Sequence, residues 1–364
     1  MILRTNQRKL SPADQEFIWN KMKIKKRGVE FRYFLIILFV VMILALVAID
    51  IANKSIRILV CNDGTFYDDC SLMKPYYCEE GILIEKASVC GCSELATKLE
   101  NTCVSKYQTN PKNIFLNYLL RGEEGEIDFT VYEGMYDYLS NVSRSIYYSA
   151  DEIPSRADFK LKNMNEEEQR ELLLPLVVKI QEITDDKNDQ MRIAISLVQN
   201  IDYGFSNKTD SFAGNEINYS RYSYEVLYDG QGICGEKSTL LAFLLREMGY
   251  NVSLFYYAQE NHEVIGIGCS VSKSFDDTGY CFIETTGPAI LGDDSIEYVG
   301  GITLSSEPQI MILSEGDSLG KNLYEYRDAK IMKRLRQGKF VLFRNSKLEE
   351  LQEKYGLVEV YNLG

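Results

Sequence analysis

Hydrophobic and polar positions change their period several times along the chain, and each period predicts an element. One stretch has no charged position: Tyr33–Ile49, YFLIILFVVMILALVAI, is 17 residues long, at the short end of the ~17–25 that a membrane-crossing helix needs. Apolar residues at helical spacing predict helices over Met135–Tyr148, Glu166–Thr184, Asp189–Ile201 and Cys234–Met248, the last ended by Gly249. Period-two alternation predicts strands over Val252–Ala258, Glu263–Cys269 and Tyr280–Thr285, and a weaker one over Glu126–Tyr132. From Asp202 to about Arg221 the chain is polar and reads as a loop, and Lys347–Lys354 predicts a short terminal helix.

Charge adds a direction to the apolar run. Up to Arg32 there are nine basic and three acidic residues, whereas the whole chain has a net charge of −13. Basic residues before an apolar segment place that end in the cytoplasm. A cleaved signal peptide would need an unusually long basic region, and no A-x-A-like site follows the run. The expectation is a single-pass anchor in the cell membrane, with the N-terminus cytoplasmic and the C-terminal domain extracellular. The organisation expected is a cytoplasmic basic tail (1–32), a transmembrane helix (33–52), a cysteine-rich extracytoplasmic module (53–108), a helical region (109–186), a core (187–290) and a C-terminal extension (291–364). The acidic balance excludes nucleic acid as the main partner, since phosphate binding needs a basic surface. No glycine loop followed by Lys and Ser/Thr is present to cradle a phosphate, so no cofactor is expected.

Nine cysteines sharpen the picture. Cys61, Cys70, Cys78, Cys90, Cys92 and Cys103 crowd together, and clusters of this kind are read first as disulfides. Zinc is the competing reading, but the region has no histidine and no paired C-x-x-C spacing. An odd total leaves one thiol over, and Cys234 is the candidate.

A cysteine nucleophile needs a base to make and hold the thiolate, and a third group to orient that base. Gly230-Gln231-Gly232-Ile233-Cys234-Gly235-Glu236 puts Cys234 where a glycine-rich turn enters a helix. The positive end of the helix dipole lowers a thiol pKa there. The Cys234 N–H is available as half of an oxyanion hole, with Gln231 and Gly232 as further oxyanion or positioning candidates. Glycines at 232 and 235 would admit a substrate backbone closely. The chain has one histidine, His262, at the start of a predicted strand, and Glu284 lies on the next. An antiparallel hairpin pairing 262 with 284 would bring the two together on the helix side. Cys269 and Cys281 look like a cross-strand disulfide, yet that register offsets them by four residues, about 13 Å. Either the register differs by a step or these cysteines do something else.

The segments EVLYDGQGICGEKSTLLAFLLREMGYNVSLFYY (Glu225–Tyr257), NHEVIGI (Asn261–Ile267) and GYCFIETTGP (Gly279–Pro288) together resemble the transglutaminase-like superfamily, most closely its membrane-anchored archaeal type. The resemblance covers about Asp189–Pro288. It implies Cys234 as nucleophile, His262 as general base and acid, and Glu284 as the orienting carboxylate, with no metal. Two positions depart from the pattern: Glu284 stands where Asp is commoner, and Glu263-Val264 stands where an aromatic often follows the His. The fold class it implies is α+β, with the transmembrane helix and cysteine-rich module followed by the Cys234 helix packed on an antiparallel sheet. The function expected is a thiol enzyme that cleaves an amide of a protein or peptide substrate, or transfers its acyl group. The superfamily also has inactive members, so a binding or scaffold module is the alternative.

Overall fold

A computed structural model describes residues 38–44, 60–149, 152–212, 215–295, 297–298, 302–339 and 341–357. The chain divides into two compact units, Met1–Leu59 and Val60–Gly364. In the first, residues 38–44 form a helix (α1). Among the described residues no helix is long and apolar enough to cross a membrane. This corrects the expected transmembrane helix and the single-pass placement in the cell membrane that depended on it. The basic tail and the rest of the apolar run lie outside the described residues.

The second unit begins with the cysteine cluster. Cys61 pairs with Cys78, Cys70 with Cys90, and Cys92 with Cys103. The bridges staple two small hairpins, β1–β2 (Tyr76–Glu79, Ile82–Glu85) and β3–β4 (Ala96–Leu99, Thr102–Ser105), around one helical turn, α2 (Ala87–Cys90). Segments this short build little core, and covalent links supply what burial does not. All six cysteines are thus disulfide-bonded rather than ligands for zinc.

A long hairpin follows, β5 (Pro111–Leu120) with β6 (Glu123–Tyr132). Its turn residues Arg121 and Gly122 have φ of 58° and 89°, the twist that two-residue hairpin turns favour. Helices α3 (Glu133–Asn141), α4 (Arg156–Met164), α5 (Glu167–Ile183) and α6 (Lys187–Gln199) come next. Asp186 starts α6 by accepting hydrogen bonds from the amides of Asn188 and Asp189. The polar loop predicted from Asp202 contains β7 (Asp202–Tyr203) and a hairpin, β8 (Thr209–Phe212) with β9 (Asn215–Asn218). Then come α7 (Ser223–Asp229), β10 (Gln231–Gly232) and α8 (Cys234–Glu247).

The central antiparallel sheet is built from β11 (Val252–Tyr257), β12 (His262–Gly268) and β13 (Tyr280–Ile283). After the short pair β14 (Glu297–Tyr298) and β15 (Ile302–Thr303), β16 (Gln309–Ser314) completes it in the order β13-β12-β11-β16. Alternation along these strands sends two sets of side chains to opposite faces. Val252, Leu254, Ile265, Ile267 and Ile283 pack with Leu240, Leu241 and Leu244 of α8 in the main core. Phe255, Tyr257, Val264, Phe282 and Ala289 form a second cluster. The last helices, α9 (Tyr324–Arg336) and α10 (Arg344–Tyr355), close a third cluster with Ile290. The described residues are α+β, as expected for the core.

The register of β12 with β13 differs from the one that sets 262 opposite 284. Ile265 pairs with Ile283 and Ile267 with Cys281, a slip of two residues. That slip brings Cys269 and Cys281 to a Cα separation of 5.8 Å, where they form a disulfide. It also leaves Glu284 just past the end of β13 rather than within it.

Candidate active site

Three local devices place Cys234. Gly230, with φ of 68°, ends α7 in the left-handed conformation. Gln231 and Gly232 then pair in parallel with Asp202 and Tyr203, fixing the chain's entry to α8. Glu236 accepts a hydrogen bond from the Ile233 amide at 3.1 Å and caps the first turn. The same carboxylate holds the Arg221 amide and guanidinium, and Arg221, itself buried, also reaches Asp229. Cys234 is therefore the first residue of α8, half-buried, and the one cysteine left unpaired.

His262 is the first residue of β12, and its Nε2 lies 2.9 Å from Glu284 Oε2. The Cys234 side chain lies near enough to the same ring to favour its protonated form. Glu284 Oε1 accepts from the Thr285 amide (2.9 Å), the Thr286 amide (2.7 Å) and the Thr286 hydroxyl (2.7 Å). Its backbone carbonyl accepts from Gln199 Nε2 at 2.8 Å. By strand alternation His262 falls with Val264, on the face away from α8. The three groups meet at the end of the sheet, where α8 begins, rather than beneath the helix.

Burial disfavours a charged imidazole, but the hydrogen bonds to Cys234 and Glu284 and their negative charge outweigh it, and His262 is pushed up to about 10. Burial, followed by the charges of Cys234, Glu236 and Glu284, pushes the Tyr203 phenol up, which places it within electrostatic reach of the thiol. Tyr203 meets Phe205 edge-to-face, and both are exposed. Glu263 accounts for the missing aromatic: burial favours its neutral form, yet Lys160 (2.7 Å) and Arg156 (2.5 Å) hold it below the usual carboxylate range.

The structure brings Cys234, His262 and Glu284 together. Gln231 and the glycines pack closely against neighbouring parts of the chain. Gln231 lays its amide against Gly204, where a Cβ would stand 2.4 Å from Oε1. A Cβ on Gly232 would meet Lys237 Cγ at 3.2 Å, and one on Gly235 would meet Glu263 Oε2 at 2.6 Å. These glycines make room for the protein's own side chains. Sequence reasoning missed Lys237, fully buried one turn into α8, and Gln199 and Thr286, which hold Glu284.

No protein-family model matches the chain, and no curated protein matches it. Two solved structures of LapG from Legionella pneumophila do. One, 14% identical, covers 35% of this chain and 72% of LapG, with a TM-score of 0.22. A calcium-bound form, also 14% identical, covers 49% of this chain and 98% of LapG, again with a TM-score of 0.22. The functional reading therefore rests on the geometry of the site.

Proposed function

We propose that the protein is a transglutaminase-like thiol enzyme that opens an amide bond in a protein or peptide, with Cys234 as nucleophile, His262 as general acid and base, and Glu284 orienting the ring. The observation that supports this most is the convergence of the single histidine, hydrogen-bonded to a buried carboxylate, with the one cysteine outside a disulfide.

In this mechanism the sulfur and ring act as a thiolate–imidazolium pair. The sulfur attacks the amide carbonyl carbon, an S–C bond forms, and the carbonyl electrons move onto oxygen. The Cys234 N–H lies in the first turn of α8, where helix geometry leaves it without an intrahelical acceptor, so it can donate to that oxyanion. As the intermediate collapses, the C–N bond breaks and His262 gives its proton to the leaving amine. The neutral ring then takes a proton from water, which attacks the thioester. The C–S bond then breaks, the acid is released and the thiolate–imidazolium pair is restored. Glu284 holds the imidazolium in the orientation both steps need.

The test is to incubate the chain with a peptide library, quench in acid and weigh the intact protein. The expected result is an acyl adduct on Cys234, with turnover falling on the order of 10⁴-fold or more in Cys234→Ala. Neither adduct nor turnover across the library would leave a binding module instead.

A further inference from the structure

We propose that Lys237 is a positioning residue of this site: its buried ammonium ties the turn that carries Glu284 to the helix that carries Cys234. The inference rests on the reading of Cys234, His262 and Glu284 as the working site.

Lys237 is fully buried, one turn into α8 from Cys234. Its three N–H donors have three backbone acceptors: the carbonyls of Gln199 (3.4 Å), Ile201 and Thr286 (3.2 Å). Gln199 ends α6, Ile201 leads into β7, and Thr286 lies in the turn after Glu284. Thr286 also donates its amide and hydroxyl to Glu284 Oε1, both at 2.7 Å. A continuous line of contacts thus runs from α8 through Lys237, Thr286 and Glu284 to His262. Gly232 leaves space for the lysine stem, and Val226 of α7 walls the other side of that glycine.

A buried ammonium is costly, and its neutral form is the usual escape. Here desolvation pushes Lys237 down to about 8, opposed by the negative charges of Glu284 and Asp202. Loss of the proton removes the charge from all three carbonyl contacts at once. The orientation of His262 should therefore change as Lys237 loses its proton, below the range in which the ring itself titrates.

The chain's single histidine makes this visible without an activity assay. The full chain, labelled with ¹⁵N-histidine, is followed by NMR as pH is raised. The wild type should show a step in the His262 ring signal centred near 8, before the ring's own titration near 10. In Lys237→Met the step should vanish. A folded Lys237→Met with an unaltered His262 titration overturns the proposal. If that variant does not fold, the wild type decides: no step between about pH 7 and 9 overturns it equally. Because the readout is spectroscopic, absence of turnover would count against the enzyme and not against Lys237.

Discussion

Glu284 has both carboxylate oxygens committed, three donors from Thr285 and Thr286 on one and the His262 ring on the other. An anion held this way cannot swing, so it fixes the imidazole while favouring its charged form. In Glu284→Gln the ring loses that negative partner. Its midpoint should fall from about 10 toward 6.5, and kcat should drop roughly a thousandfold or more. In the wild type His262 stays protonated as pH rises past neutrality, so turnover that needs its proton falls first as Lys237 loses its charge near 8 and then as the ring titrates near 10. A Glu284→Gln enzyme with an unchanged pH profile would remove Glu284 from this role. Cys234 and His262 were legible because a glycine-rich helix start and a lone histidine are local signals. Lys237 was not, because a single lysine in a helix ordinarily reads as a solvent-facing charge, and only the tertiary fold surrounds it with carbonyls.

At the scale of elements, the hairpin of β12 and β13 decides whether His262 and Glu284 meet. Side-chain alternation alone allowed two registers differing by two residues, since both keep the same faces buried. The pairing of Ile265 with Ile283 and the Cys269–Cys281 bridge mark the register adopted. The bridge closes a loop of 12 residues, so replacing both cysteines with alanine should lower the unfolding free energy by about 3 kcal/mol. Denaturant unfolding would measure this. Cys234 should still be labelled by alkylating agents in the folded variant, because the bridge lies at the far end of β12 from His262. No loss of stability would mean that core packing alone sets the register. The strongly periodic helices α5, α6 and α8 and strands β11 to β13 were readable to within a few residues. Helix α4 was missed because Arg156–Met164 is mostly polar, its fold owed to the pairing of Arg156 and Lys160 with Glu263. The β8–β9 hairpin was missed because its sequence carries no apolar alternation.

At the scale of the whole molecule, the long segment after Pro288 had no assigned task from sequence, and only its last helix was predicted. It supplies the edge strand β16 and two helices that pack on Ile290. Ion pairs also tie it back, Arg192 to Glu325 and Lys187 to Asp317. None of these links has a local signature, since each joins residues more than a hundred positions apart. The apolar N-terminal run had the strongest signature of all, yet no described helix is long enough to cross a membrane. The central claim is that the folded chain builds a histidine-held thiolate at Cys234. It is tested most directly by the rate of Cys234 alkylation against pH, followed by peptide mass spectrometry in the wild type and in His262→Ala. The account predicts labelling of the wild type much faster than that of the variant at the same pH, because the imidazole beside the sulfur makes and holds the reactive form. Equal labelling of the two proteins, rising only toward alkaline pH, would contradict it.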